Sequence, residues 1–128
     1  LIVDASAFVE LLLNTPKAAQ VRSALGDRPM HAPDFMAVEV TSVIRKFERT
    51  KALSVQRCEE AIADLSDAPV RWLKVSNLSG DCWQMRNNIS TYDGFYVALA
   101  NELAMPLVTA DLRLAAAPNI GATVIAIE

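Results

Sequence analysis

Asp4, Glu39, Asp93 and Asp111 are the residues of this chain best placed to do chemistry. Asp4 follows the apolar run LeuIleVal (1–3), and Asp111 comes just after LeuValThr (107–109). Asp93 opens one helix-like segment and Asp111 another. In an open α/β sheet, ligands bind beyond the carboxyl ends of the strands, where the following helices begin. Two acids at such ends, with a third at a helix start, can therefore converge on one rim. Glu39 joins them from a different pattern. At roughly 100° per residue it falls beside Met36 and Val43, on the margin of an apolar helical stripe. A carboxylate there is costly unless it is paired, hydrated or bound to a cation.

Each acid also has a plain structural use. Asp4 can cap the helix after it, Ser90-x-x-Asp93 fits a capping pattern, Asp111 is an ordinary N-cap residue, and Glu39 can reach water along its stem. Taken together they say more. Carboxylates packed at one place repel, so at least one pKa must rise unless a cation is present. Hard divalent cations such as Mg²⁺ take carboxylate oxygens and keep several waters. A cation held this way can activate water for attack on a phosphodiester, with no histidine and no protein nucleophile.

The inventory leaves little else. The chain has no GxxxxGK[ST] loop, no GxGxxG and no GxSxG, and only four glycines to build a phosphate cradle. Its one histidine, His31, has no candidate partners and reads as a satisfied or surface residue. Cys58 and Cys82 are too few for a zinc tetrahedron and read as reduced, mostly buried thiols of a cytosolic protein. Cysteine nucleophile chemistry lacks a histidine partner.

The elements that must position these acids follow from periodicity and breakers. Residues 1–3 read as a buried strand, with Ser6 capping a helix over 7–13. AsnThrPro (14–16) breaks it, and a second helix runs on to Gly26. ProMetHisAla (29–32) is weakly strand-like. The clearest helix spans 34–49, with Met36, Val40, Val43, Ile44 and Phe47 on one stripe. Another runs from Ser54 to about Ser66, with Val55, Cys58, Ile62 and Leu65 at helical spacing. A half-exposed strand is expected over 70–75 and a helix over 79–89. Residues 90–114 then read as helix, turn, short buried strand and second helix, and ThrValIleAlaIle (123–127) as a last strand. Strands alternating with helices imply a parallel sheet between helical layers.

At 128 residues with 52% hydrophobic content, the chain is long enough for a single domain with an ample core. The net charge of −3 excludes indiscriminate nucleic-acid binding through overall basicity, so a nucleic-acid substrate must meet a local patch. The most basic run is ArgLysPheGluArgThrLys (45–51). No apolar run reaches the ~18 residues of a membrane span, and no signal-peptide pattern opens the chain. Leu1 stands where a methionine is expected, which leaves room for residues ahead of it.

Four blocks carry a family resemblance: ValAspAlaSerAla (3–7), GluValThrSerValIleArgLys (39–46), TyrAspGlyPheTyrValAlaLeuAla (92–100) and LeuValThrAlaAspLeuArgLeu (107–114). In order and spacing they resemble the PIN-domain ribonucleases, and within them the VapC toxins of VapBC toxin–antitoxin systems. The likeness covers nearly the whole chain. It implies a PIN-like three-layer α/β fold with a short, mostly parallel central sheet flanked by helices. It implies that Asp4, Glu39, Asp93 and Asp111 are the catalytic acids and hold Mg²⁺ or Mn²⁺, with Asp4 and Asp93 the firmest ligands. Ser6 and Thr109 match small hydroxyl positions that orient the acids or a bound water. The implied activity is RNA cleavage in the cytoplasm by a homodimer, neutralised by a VapB-type antitoxin whose C-terminal segment covers the site. Arg45, Lys46, Arg49 and Lys51 are candidates for steering the RNA backbone, with Arg86 and Arg113 nearer the rim. Gly94 departs from the family, which commonly carries Ala there.

Two other readings compete. One is a PIN-fold binding module that keeps its acids and acts only through a protein partner. The other is a phosphatase or phospho-acceptor domain with Asp4 as nucleophile. The dehalogenase-like pattern wants an acid at position 6, where this chain has Ser6, and a receiver-like domain wants paired acids after strand one.

Overall fold

The computed structural model describes residues 1–128. Five strands form one sheet: β1 (Ile2–Val3), β2 (Met30–Pro33), β3 (Val70–Leu73), β4 (Leu107–Thr109) and β5 (Val124–Ala126). Every pairing is parallel, in the order β3-β2-β1-β4-β5. The expected sheet was mostly parallel. It is wholly so because helices fill the connections between successive strands, and parallel neighbours need such crossovers. β1 and β4 are buried throughout, as the apolar runs 1–3 and 107–109 require.

The order of strands decides where a site can form. From β1 the chain steps outward to β2 and β3, then returns to lay β4 on the other side of β1. The carboxyl ends of β1 and β4 therefore flank the topological switch point, the crevice where open α/β sheets take their ligands.

Helices α1 (Ala5–Leu12), α2 (Ala18–Leu25), α3 (Met36–Arg49), α4 (Val55–Ser66), α5 (Ser79–Gln84), α6 (Thr91–Leu103) and α7 (Leu112–Ala115) complete the fold. On α3, Met36, Val40 and Ile44 are buried, while Val43 and Phe47 are half-buried. Burying side chains of this kind contributes about 1.5–3 kcal/mol each. Helix α6 buries Gly94 and the whole run Tyr96–Ala100, so it is a central helix with no wide polar face.

Several sequence expectations shift. The first helix is capped by Asp4, whose carboxylate accepts from the Ala7 amide at 3.0 Å, so Ser6 lies inside the first turn instead of capping it. The helix expected over 79–89 ends at Gln84, because residues 85–88 switch to three-residue bonds such as Met85 N–H to Cys82 C=O. β3 stops at Leu73, two residues early. His31 is neither satisfied nor at the surface: it is buried in β2 and its Nδ1 has no hydrogen-bond partner. Cys58 and Cys82 are free and buried, as expected.

Candidate active site

Asp4 leaves β1 at the switch point, 3% exposed. Such a carboxylate must collect donors, and it does. The Ser6 hydroxyl donates to Oδ1 at 2.6 Å, the Ala7 amide donates to the same oxygen, and the Thr109 hydroxyl donates to Oδ2. Thr109 ends β4, the strand beside β1, so parallel pairing brings its hydroxyl across. Both hydroxyl protons are spent on Asp4, which leaves the oxygens to accept. Ser6 Oγ takes the Ala110 amide at 2.9 Å and Thr109 Oγ1 takes the Asp111 amide at 2.9 Å. Ser6 and Thr109 thus tie the two strand ends together and both bond the Asp4 carboxylate.

Asp111 caps α7 through the Arg113 amide at 2.9 Å, and the Arg113 side chain approaches it at 3.7 Å. Asp93 lies in the first turn of α6, where the Ser90 hydroxyl accepts from its amide at 3.2 Å. That cap fixes the helix start and keeps the Ser90 hydroxyl beside the Asp93 carboxylate, whose ionised form it favours. Asp93, Asp111 and Arg113 line one groove with Ser90. Glu39 sits in the first turn of α3, half-buried, and Oε1 accepts from the Tyr96 hydroxyl at 2.7 Å. Tyr96 is a member the sequence reading missed. Its place three residues after Asp93 puts both on one side of α6.

Electrostatics show that the acids share a region. Burial pushes the Asp4 carboxyl above its ordinary value, the Ser6, Thr109 and Ala7 donors pull it back, and Asp93 pushes it up further. Burial raises Glu39, the Tyr96 hydroxyl opposes this, and the charges of Asp4 and Asp93 add to it. Asp93 is raised by burial, lowered by Ser90, raised by Asp111 and lowered by Arg113. The Tyr96 phenol is pushed far up, first by burial and then by the charge of Glu39. Three carboxylates resisting ionisation at one rim, with Arg113 as the cation acting there, is a deficit that a bound cation would remove.

The donor set suits a hard ion: all oxygen, no sulfur, no imidazole. The second oxygen of Glu39 has no protein donor and Asp93 has only the Ser90 hydroxyl, while Asp4 is held by three donors. No three acids close into a ready-made cage.

The cations expected to steer RNA divide into groups. Arg45, Lys46 and Arg49 line an exposed groove of about 500 Å³ on α3, and Lys51 follows at a positive φ of 60°. Arg113 stands at the acid rim. Arg86 does not: its guanidinium stacks 4.6 Å above the Trp83 ring, held by the Trp83 carbonyl. The departure at Gly94 has a steric cause. A Cβ there would lie 2.7 Å from Cys82 Sγ, which fills the space against α6.

Compared with known proteins, residues 1–120 match the PIN domain family. This chain belongs to the PIN-domain family. Among curated members it is similar to ribonuclease VapC3 of Mycobacterium tuberculosis, 37% identical over 117 residues, which span 91% of this chain and 85% of that one. Ribonuclease VapC12 of the same organism is 36% identical over 115 residues, 90% of this chain and 89% of the relative. The chain is therefore a VapC-type PIN protein. Solved structures share the fold at low identity. VapC20 of M. tuberculosis, described as a Sarcin-Ricin loop cleaving toxin, has a TM-score of 0.66 at 15% identity, covering 90% of this chain and 92% of that one. VapBC2 of Rickettsia felis, bound to a DNA fragment from its promoter, has a TM-score of 0.69 at 11% identity, with 99% and 98% covered. In this PIN protein Asp4, Glu39, Asp93 and Asp111 fall at the strand and helix ends described above.

Proposed function

We propose that this chain is a metal-dependent endoribonuclease toxin that hydrolyses RNA phosphodiester bonds, acts as a homodimer, and is neutralised by a VapB-type antitoxin. The observation that carries this reading is the carboxylate rim at the β1/β4 switch point, where Asp4 and Thr109 end neighbouring strands and the charge of Asp93 acts on Asp4 and Glu39 and that of Asp111 on Asp93. Family membership and the VapC ribonuclease relatives support the same reaction class. Residues 1–128 act as one catalytic domain.

Asp4, Glu39, Asp93 and Asp111 would hold Mg²⁺, or Mn²⁺ in its place. The bound ion would supply Lewis-acid stabilisation of the phosphorane charge and a more acidic water. The chain's residues do the positioning. Ser6, Thr109 and the Ala7 amide keep Asp4 aimed, so that no reorganisation is needed when substrate arrives. Tyr96 pins one oxygen of Glu39 and leaves Oε2 free to hold an ion or to take a proton from attacking water. Arg113 stands beside Asp111 where a phosphate would approach, and Arg45, Lys46, Arg49 and Lys51 attract the backbone from α3 and its end. The net negative chain then meets RNA through these local patches.

The test is cleavage of total RNA with Mg²⁺ by the unaltered chain and by Asp93→Asn. The isosteric amide removes one charge and leaves the Ser90 cap. Activity should fall by at least two orders of magnitude, and an Asn variant that cuts as well as the parent ends the assignment.

A further inference from the structure

The rim opens on one side into a groove of about 680 Å³ between α1 and α3, with Ser6 and Glu39 at one part and Lys17 at another. That volume falls in the range of cavities that hold small organic ligands, ~300–1,000 Å³. Its walls include Phe35, Val38 and Tyr92, and the last two are exposed, at 70% and 58%. Tyr92 is the residue before Asp93. Its ring meets Phe35 edge-on, with centroids 5.4 Å apart, and Phe35 is braced in turn by Phe95 at 6.0 Å and Tyr96 at 5.3 Å. Both tyrosines and two of the four phenylalanines of the chain thus gather beside the acids. An exposed ring braced on one side by a T-shaped contact keeps a face available and loses little entropy when something stacks on it.

We infer that this groove is a nucleotide subsite: an unpaired base next to the scissile phosphate stacks on Tyr92, and the adjoining phosphate meets Lys17. The inference rests on the ribonuclease reading and specifies which feature of the RNA that site takes. Charge supports the choice of occupant. Lys17 forms no ion pair in the structure, and the groove's spare carboxylate, Glu10, accepts from the Thr15 hydroxyl. Ser42 and Val43 line both this groove and the basic one beyond it, so the apolar cleft continues along α3 toward Lys46 and Arg49. An apolar ring beside the reacting centre with cations beyond it suits a single strand, whose bases stack while its phosphates track a basic path. A duplex has no free base face to offer.

The experiment uses an RNA that the full chain cuts with Mg²⁺, with the cut mapped by sequencing its ends. That RNA is then resynthesised with an abasic ribose on either side of the cut. Tyr92→Ala should raise KM by about 5- to 100-fold, the usual range for losing one base–aromatic stack, and Tyr92→Phe should restore it. One abasic substrate should show the same penalty with the unaltered chain and no further penalty with Tyr92→Ala. In an Asp93→Asn background, anisotropy of labelled RNA should show Lys17→Ala lowering the salt dependence of binding by about one phosphate, and Tyr92→Ala leaving it unchanged. Additive penalties, or an unchanged KM for Tyr92→Ala, overturn the subsite. So does a Tyr92→Ala variant that loses only its hold on a protein partner. If the unaltered chain cuts no RNA at all, the ribonuclease reading fails first, and the subsite with it.

Discussion

Gly94→Ala probes the packing around α6, because two effects of known size oppose each other there. Gly94 is buried in the first turns of α6. Alanine should gain about 1 kcal/mol of helix propensity at such a position. The new Cβ would lie 2.7 Å from Cys82 Sγ, and ordinary contact begins at 3.4 Å, so about 0.7 Å of separation must be found. Cys82 is 6% exposed and its thiol donates to the Thr91 carbonyl at 3.3 Å, so it cannot swing away freely. Overpacking of this kind costs about 1–3 kcal/mol. The clash should win, with a net loss of about 1 kcal/mol and a Tm lower by roughly 3–5 °C. Asp93 is the neighbouring residue, and a displacement approaching 1 Å can cost on the order of 100-fold in rate. The assay is a double-mutant cycle with Cys82→Ala, read by denaturant unfolding and RNA cleavage. The double variant should recover stability to at least the parent level, with a coupling of about 1–3 kcal/mol. A single Gly94→Ala variant that melts higher than the parent, or a cycle additive within about 0.5 kcal/mol, refutes the argument.

Two further predictions concern the acids. Burial raises the folded-state pKa values of Asp4, Glu39 and Asp93 above the ordinary carboxylate range, so their stabilising contribution is complete below that range and is lost as pH rises through the raised values. In EDTA, Asp93→Asn should therefore melt higher than the parent at pH 7, with a gap that narrows toward pH 4 and closes when Mg²⁺ or Mn²⁺ is added; a pH-independent gap contradicts this. Thr109→Val removes the donor to Asp4 Oδ2 and the acceptor of the Asp111 amide without changing side-chain shape, and each stranded group costs about 1–3 kcal/mol. Urea titration should show that loss for Val and little for Thr109→Ser, and equal midpoints for Val and parent would show that the bonds contribute nothing.

Much of the site was legible because its signals are local. A short buried strand with an acid at or just beyond its end marks both β1–Asp4 and β4–Asp111, and the Ser90 cap announces the helix that carries Asp93. Glu39 stood out because helical periodicity left a charge at the edge of an apolar stripe. Less was legible where neighbours are remote in sequence. Glu39 and Tyr96 lie 57 residues apart, Ser6 and Thr109 lie 103 apart, and no periodicity connects them. The misassigned cap at Ser6 has the same origin. Both Asp4 and Ser6 can cap a helix, and the distance from the end of β1 to the Ala7 amide chose between them.

The residue pattern by itself determined the alternation of strand and helix and the parallel sheet, and it singled out the candidate acids, because each follows from side-chain period and type. Tertiary structure decided which strands are neighbours, and hence that β1 and β4 end together around Asp4 and Thr109. It also decided that Cys82 takes the room an alanine would need at position 94, and that Tyr92 is braced at the mouth of a groove. Strand order and helix packing are set by how the whole apolar surface is best buried, a property of the entire chain that no short stretch of it contains.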